Sequence, residues 1–299
     1  MENALTGAVV YDPHHYFDTN DGKTSHAVFM EEAPEYGRAT GMLECFLSSE
    51  LVFGNDRKGM VIQHSGGRWE EHGSKPDFCI YRGTDWRIAF FIEQCGIPCF
   101  PSSETIRLAS DKAVDHSWMV SHGVPTPSTA YTDSAMLPLK DEDFPLILKS
   151  CNGHSGSSVF RVSNILSYEN YLSSIRPDFH IRQEIMPTGN DLRITLLGRQ
   201  IDRSIIRRPT GPDFRSQAVY GGQRESFIPS ETNSAIIQKA IAALPARSGF
   251  MACDFLFDED DHLVFGELNS CPGFVVYNMN GGDLIQRYID YIVNELNNM

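Results

Sequence analysis

Two carboxylates set inside apolar runs near the end of the chain restrict its fold more than any other feature. Asp254 lies between Phe250-Met251-Ala252-Cys253 and Phe255-Leu256-Phe257, and Glu267 follows Leu263-Val264-Phe265-Gly266. Such runs call for buried strands, and Asp258-Glu259-Asp260-Asp261 between them is solvated turn chemistry. Residues 249–257 and 262–268 therefore read as a hairpin. A carboxylate buried in a strand must be paired, hydrogen-bonded or bound to a cation. With a turn of two or four residues centred between 258 and 262, Asp254 stands directly opposite Glu267 or on the diagonal, and both registers put the two acids on one face. Asn269 lies two residues further and points the same way. Two carboxylates and an amide oxygen, without His or Cys, make a hard oxygen site that suits magnesium better than zinc. The competing structural reading is a salt bridge from one of these acids to a nearby arginine.

The 299 residues carry a net charge of −14, with 41% hydrophobic residues. This is a globular composition, and the acidic balance argues against a phosphate-backbone binder, which needs clustered cations. No stretch reaches the roughly 20 apolar residues of a membrane helix, and Met1-Glu2-Asn3-Ala4 lacks the basic start of a signal peptide. A cytoplasmic protein, with no nucleic-acid or membrane partner, is expected. Seven scattered cysteines fit reduced thiols, and the close pair Cys95 and Cys99 reads as core where a helix end meets a strand.

Pro and Gly punctuation divides the chain into 1–100, 101–186 and 187–299. In the first part Val9–Tyr11 and Phe78–Tyr81 read as strands and Asp85–Cys95 as a helix, the pattern of a small α/β domain, while residues 16–75 show weak periodicity. In the second, a helix follows Ser110-Asp111-Lys112 and ends at Gly123. Phe144–Lys149 and Val159–Val162 form a hairpin around a soft tip of small residues, a helix spans Tyr168–Ile175, and a strand covers Ile181–Ile185. The third opens with strands at 191–197 and 200–207, followed by a polar loop from Arg208 to Arg224. Helices at Glu231–Leu244 and Gly282–Asn297 flank the acidic hairpin.

Lys149 immediately precedes Ser150-Cys151-Asn152-Gly153-His154-Ser155-Gly156-Ser157-Ser158. Gly and Ser let backbone N–H groups approach a phosphate, and a lysine adds a point charge. The spacing matches neither G-x-x-x-x-G-K-[ST] nor G-x-G-x-x-G, so neither a P-loop NTPase nor a dinucleotide-binding dehydrogenase is supported. His154 is either a phosphate contact or a plain loop residue. Seven arginines fall between 193 and 224 of this acidic chain. Arg203 and Arg207 share one face of a regular strand, and a guanidinium fork suits carboxylate and phosphate oxygens.

In order, Ser110-Asp111-Lys112, Phe144–Lys149 with its loop, Gln183-Glu184-Ile185, Asp191-Leu192-Arg193, Asp213-Phe214-Arg215-Ser216, and Asp254 with Glu267-Leu268-Asn269-Ser270-Cys271-Pro272-Gly273 resemble the ATP-grasp superfamily. The likeness is greatest to its RimK-like branch and covers about residues 77–275. The resemblance implies an α+β ATP-grasp fold: an N-terminal α/β domain, 1–100, and two α+β subdomains clasping ATP, 101–186 with the lid and 187–299 with the metal site. It implies ATP and Mg2+, or Mn2+, as cofactors. Lys112 and Lys149 would meet the phosphates beneath the lid residues Ser155 and Gly156, the hinge Gln183, Glu184, Ile185 and Met186 would lie beside adenine, and Asp191 near the ribose. Arg215, with Ser216, would sit by the reacting phosphate, and Asp254, Glu267 and Asn269 would hold the metal. Gln217, Cys271, Cys151 and His154 depart from the commoner residues of the pattern.

The activity implied is carboxylate–amine ligation through an acyl phosphate, with an amino acid or peptide and an amine as substrates. Arg215, Arg193 and Lys149 are the catalytic candidates, and Arg82 either binds substrate or pairs with Asp85. A homo-oligomer is compatible with the resemblance. A phosphotransferase on the same scaffold and a nucleotide-binding regulatory module are the alternatives.

Overall fold

Five consecutive buried residues, Gly7–Tyr11, form β1, a run that only a strand covered on both faces tolerates. This computed structural model describes residues 5–13, 43–64, 67–68, 75–132, 139–152, 159–174, 180–210, 223–273 and 283–299. The chain divides into two compact units, the first comprising 1–107, 245–251 and 270–299, the second 108–244 and 252–269.

In the first unit β1 pairs in parallel with β2 (Leu43–Leu47). A small antiparallel sheet of β3 (Leu51–Asp56), β4 (Gly59–His64) and β5 (Gly67–Arg68) follows. The second parallel partner of β1 is β6 (Phe78–Arg82), buried throughout. Helix α1 (Trp86–Gln94) starts where the Asp85 carboxylate caps Arg87 N–H, and β7 (Cys99–Phe100) completes a sheet of order β2-β1-β6-β7. Helix α2 (Ser103–Ala109) follows. The weakly periodic stretch 16–75 thus contains β2 to β5, and β3 and β4 are short, largely uncovered strands interrupted by Gly54 and Asn55, which leave little apolar alternation to read.

The second unit opens with α3 (Lys112–Ser121), whose N-terminal N–H groups at Ala113 and Val114 are taken up by Asp111. A four-stranded sheet of order β10-β9-β11-β8 is formed by β8 (Thr129–Thr132), β9 (Leu146–Ser150), β10 (Val159–Val162) and β11 (His180–Gln183), with α4 (Ile165–Ser174) running between the last two. Leu146, Leu148, Val162 and Tyr168 form the core between this sheet and α4. The expected strand to Ile185 ends at Gln183, and beyond it Glu184 N–H donates to Ser128 O (3.0 Å) without a continued ladder among the described residues. A five-stranded sheet, order β14-β13-β12-β15-β16, contains β12 (Asp191–Leu197), β13 (Gln200–Arg208), β14 (Gln223–Ser226), β15 (Phe250–Phe257) and β16 (Leu263–Asn269), with α5 (Glu231–Ala242) preceding β15. The expected loop 208–224 gives way to β14 at Gln223; an exposed edge strand of Gln, Arg, Glu and Ser carries no apolar signal.

Helix α6 (Leu284–Asn297) belongs to the first unit, burying Leu284, Ile285, Tyr288, Ile289 and Ile292. Tyr288 OH donates to Phe100 O (3.1 Å) there. Among the described residues no helix is long and apolar enough to cross a membrane.

Candidate active site

The acidic hairpin brings its two carboxylates together by a route different from the expected one. The turn comprises 258–262, and the pairs Phe257↔Leu263, Leu256↔Val264 and Phe255↔Phe265 run regularly from it. Continued without interruption, that register sets Glu267 across from Cys253, on the face away from Asp254. The register shifts after Phe255, Gly266 is the extra residue, and Glu267 stands directly opposite Asp254. Only glycine fits at the bulge, because a Cβ there would lie 2.9 Å from Asp254 O. The acidic turn itself is self-contained: Asp258 accepts from Asp260 N–H (3.0 Å) and His262 N–H (2.8 Å).

Asp254 is buried and gripped by two guanidinia. Arg193 donates to both of its oxygens (2.7 and 2.6 Å) and Arg207 Nη2 donates to Oδ2 (2.9 Å), while Arg207 Nε donates to Asp191. Burial alone would raise the Asp254 pKa, but Arg193 and Arg207 outweigh it and hold the carboxyl at about 2. The arginine salt bridge set against the metal reading is therefore present, and it leaves Glu267 aside. The pairing of Arg207 with Asp191 follows from their positions as direct cross-strand neighbours on β13 and β12, which the strand face shared with Arg203 does not by itself reveal.

Glu267 instead faces Lys112 Nζ at 3.6 Å. Lys112 opens α3, and its backbone N–H donates to Cys151 O (3.0 Å), which ties the helix start to the end of β9. Lys149, on β9, donates from Nζ to Gln183 Oε1 (2.7 Å), and Gln183 Nε2 donates to Thr129 Oγ1 (3.1 Å). Burial pushes the Lys149 ammonium down to about 8, against the pull of Glu267. The Gln183 side chain is thus engaged with Lys149. Glu184 is exposed and accepts from Ser128 N–H (2.6 Å), and Ile185 and Met186 follow it half-buried. Ser155, Gly156, Arg215 and Ser216, with His154 and Gln217, lie outside the described residues. In the first unit Asp85 pairs with Arg87 (2.7 Å), and Arg82 Nη2 donates to Pro272 O (2.5 Å).

Asp254, Glu267 and Asn269 offer hard oxygens only. Among the described residues no three His, Cys, Asp or Glu side chains gather into a metal cage. Magnesium commonly takes one or two carboxylates and completes its shell with water and substrate phosphates, so the oxygen chemistry of Glu267, Asn269 and Asp254 suits that ion, while both Asp254 oxygens already accept from Arg193 or Arg207 in this structure.

The same architecture occurs in solved ATP-grasp ligases. The RimK domain ATP-grasp protein from Sphaerobacter thermophilus superimposes with a TM-score of 0.64 at 17% identity, covering 96% of this chain and 99% of that one. The ATP-grasp ligase PsnB, complexed with a phosphomimetic variant of a minimal precursor, Mg and ADP, gives 0.65 at 14%, with 96% and 99% covered. The fold is therefore that of the ATP-grasp ligases. Residues 109–292 match the family model of the RimK-like ATP-grasp domain, and the chain belongs to that family. A relative named as a probable alpha-L-glutamate ligase, from Haemophilus influenzae (strain PittEE), is 28% identical over 210 residues, 66% of this chain and 68% of that protein. The chain is an enzyme of the ATP-grasp ligase class.

Proposed function

We propose that the protein joins a carboxylate to an amine at the expense of ATP, with an amino acid or peptide as the substrate class. The observation that carries this reading is the gathering, within one unit, of Lys149, Lys112, Glu267 and Asp254 from four separate elements. In this reading Lys149 and Lys112 hold the nucleotide phosphates together with Ser155 and Gly156, and the segment Gln183–Met186 lies beside adenine with Asp191 near the ribose. Asp254, Glu267 and Asn269 hold Mg2+ or Mn2+, which supplies neutralisation of phosphate charge when bound.

A substrate carboxylate oxygen attacks the γ-phosphorus of ATP and ADP leaves, which gives an acyl phosphate. An amine nitrogen then attacks the acyl carbon, the C–O bond to phosphate breaks, and the nitrogen loses a proton as the amide forms. Lys149, Lys112 and Arg215, with Ser216 beside it, spread the charge of the transferring group, and Arg193 meets a substrate carboxylate. Seven free thiols support a cytoplasmic setting for this chemistry. The test is Mg2+-dependent ADP release across a panel of amino acids and short peptides, with product masses read in the same reactions. A product equal to both substrates less water is expected. A phosphorylated product would overturn ligation in favour of phosphotransfer.

A further inference from the structure

Helix α3 carries a second buried ionisable group one turn beyond Lys112. Asp115 is fully buried, and its Oδ2 accepts from Leu268 N–H at 3.0 Å. Leu268 stands between Glu267 and Asn269 on β16, the edge strand of its sheet. An edge strand leaves outward N–H groups that must find other acceptors. Along β16, Phe265 N–H goes to Pro125 O (2.7 Å) and Leu268 N–H goes to Asp115. Phe265 also packs edge-on against His116, the next residue of α3, with ring centroids 5.1 Å apart.

A backbone carbonyl suffices at Phe265, whereas at Leu268 the acceptor is a carboxyl group whose other oxygen, Oδ1, is buried without a hydrogen-bond partner among the described residues. That is a costly way to cap an edge. Burial pushes this carboxyl well above the usual carboxylate range, so a neutral acceptor of the same shape meets the same need. Resting on the ligase reading above, we infer that Asp115 is a positioning residue: it ties the helix bearing Lys112 to the peptide between Glu267 and Asn269, and so sets the spacing between a phosphate-binding lysine and the metal ligands.

The test compares Asp115→Leu with Asp115→Asn in the full chain. Mn2+ binding in the presence of ADP is followed by electron paramagnetic resonance, and ADP binding in EDTA by fluorescence. Removing an outer partner of a metal ligand typically weakens metal binding ~10–100-fold. Asp115→Leu is expected to lose Mn2+ affinity in that range while ADP affinity in EDTA stays within about 3-fold, and Asp115→Asn, which keeps the acceptor, is expected to retain Mn2+ binding within about 3-fold. If the leucine chain does not fold, Asp115→Ser, which shortens the acceptor, takes its place. Wild-type Mn2+ affinity in Asp115→Leu, equal losses in the leucine and asparagine chains, or a parallel fall of ADP affinity in EDTA would each overturn the inference. Failure of the wild-type protein to bind Mn2+ with ADP would instead overturn the ligase reading and the inference with it.

Discussion

Arg207 bridges two buried carboxylates, and replacing it with Met tests how much that bridge contributes. Its Nη2 lies 2.9 Å from Asp254 Oδ2, and its Nε donates to Asp191. The Asp254 carboxyl is held near 2 instead of 3.8. Each unit of pKa is worth about 1.36 kcal/mol, so the net effect of burial and the two guanidinia on Asp254 stabilises the folded state by about 2 kcal/mol. Breaking one partner of a buried ion pair costs about 3–5 kcal/mol, and because Asp254 keeps Arg193 the lower end applies, about 3 kcal/mol. With a urea slope of about 3 kcal/mol per molar, Arg207→Met lowers the unfolding midpoint of the ligand-free chain by about 1 M at pH 7. The folded pKa of Asp254 lies below its unfolded value, so this stabilisation is complete above about pH 5 and is lost as the pH falls through 3.8 toward 2. The gap between wild type and variant should therefore narrow from pH 5 to pH 3. A midpoint change below about 0.3 M at pH 7, or a gap that stays constant over that pH range, would refute the reasoning.

Glu267→Gln is expected to abolish Mg2+-dependent ADP release while the thermal transition stays within a few degrees of wild type; undiminished release would remove Glu267 from the metal site. Lys149→Met should weaken ATP binding in a nucleotide titration. Because burial holds the Lys149 ammonium at about 8, wild-type affinity falls as the pH rises from 7 to 9, and the variant lacks that limb; parallel profiles would contradict the phosphate role. Gly266→Ala places a Cβ 2.9 Å from Asp254 O, so it should destabilise the chain by about 1–3 kcal/mol and reduce ADP release as Glu267 loses its register, measured by urea unfolding beside the activity assay.

Elements whose local chemistry repeats at the period of their own secondary structure were readable from the residues. Asp111 before Lys112 marks the start of α3, the apolar run to Lys149 marks β9, and Asp254 and Glu267 announce themselves as carboxylates where burial is required. The strands of the 16–75 region escaped because β3 and β4 are only partly covered and carry no clean alternation. Gln183 stands in a motif that resembles the family's, yet its engagement with Lys149 depends on the pairing of β11 beside β9.

The sequence by itself determined that two acids and an amide share a buried hairpin, that Lys149 precedes a loop of small residues, and that the ordered motifs resemble ATP-grasp enzymes. Those properties live in residue type and short spacing. Only the tertiary structure decided which side chains meet. The Gly266 bulge turns Glu267 onto the face of Asp254, and Arg193 and Arg207 reach Asp254 across 61 and 47 residues. Asp115 finds Leu268 N–H across 153 residues, and the closing helix α6 returns to the unit in which the chain began. A charged or polar group specifies that it needs a partner when buried, but strand order, register and helix docking choose the partner.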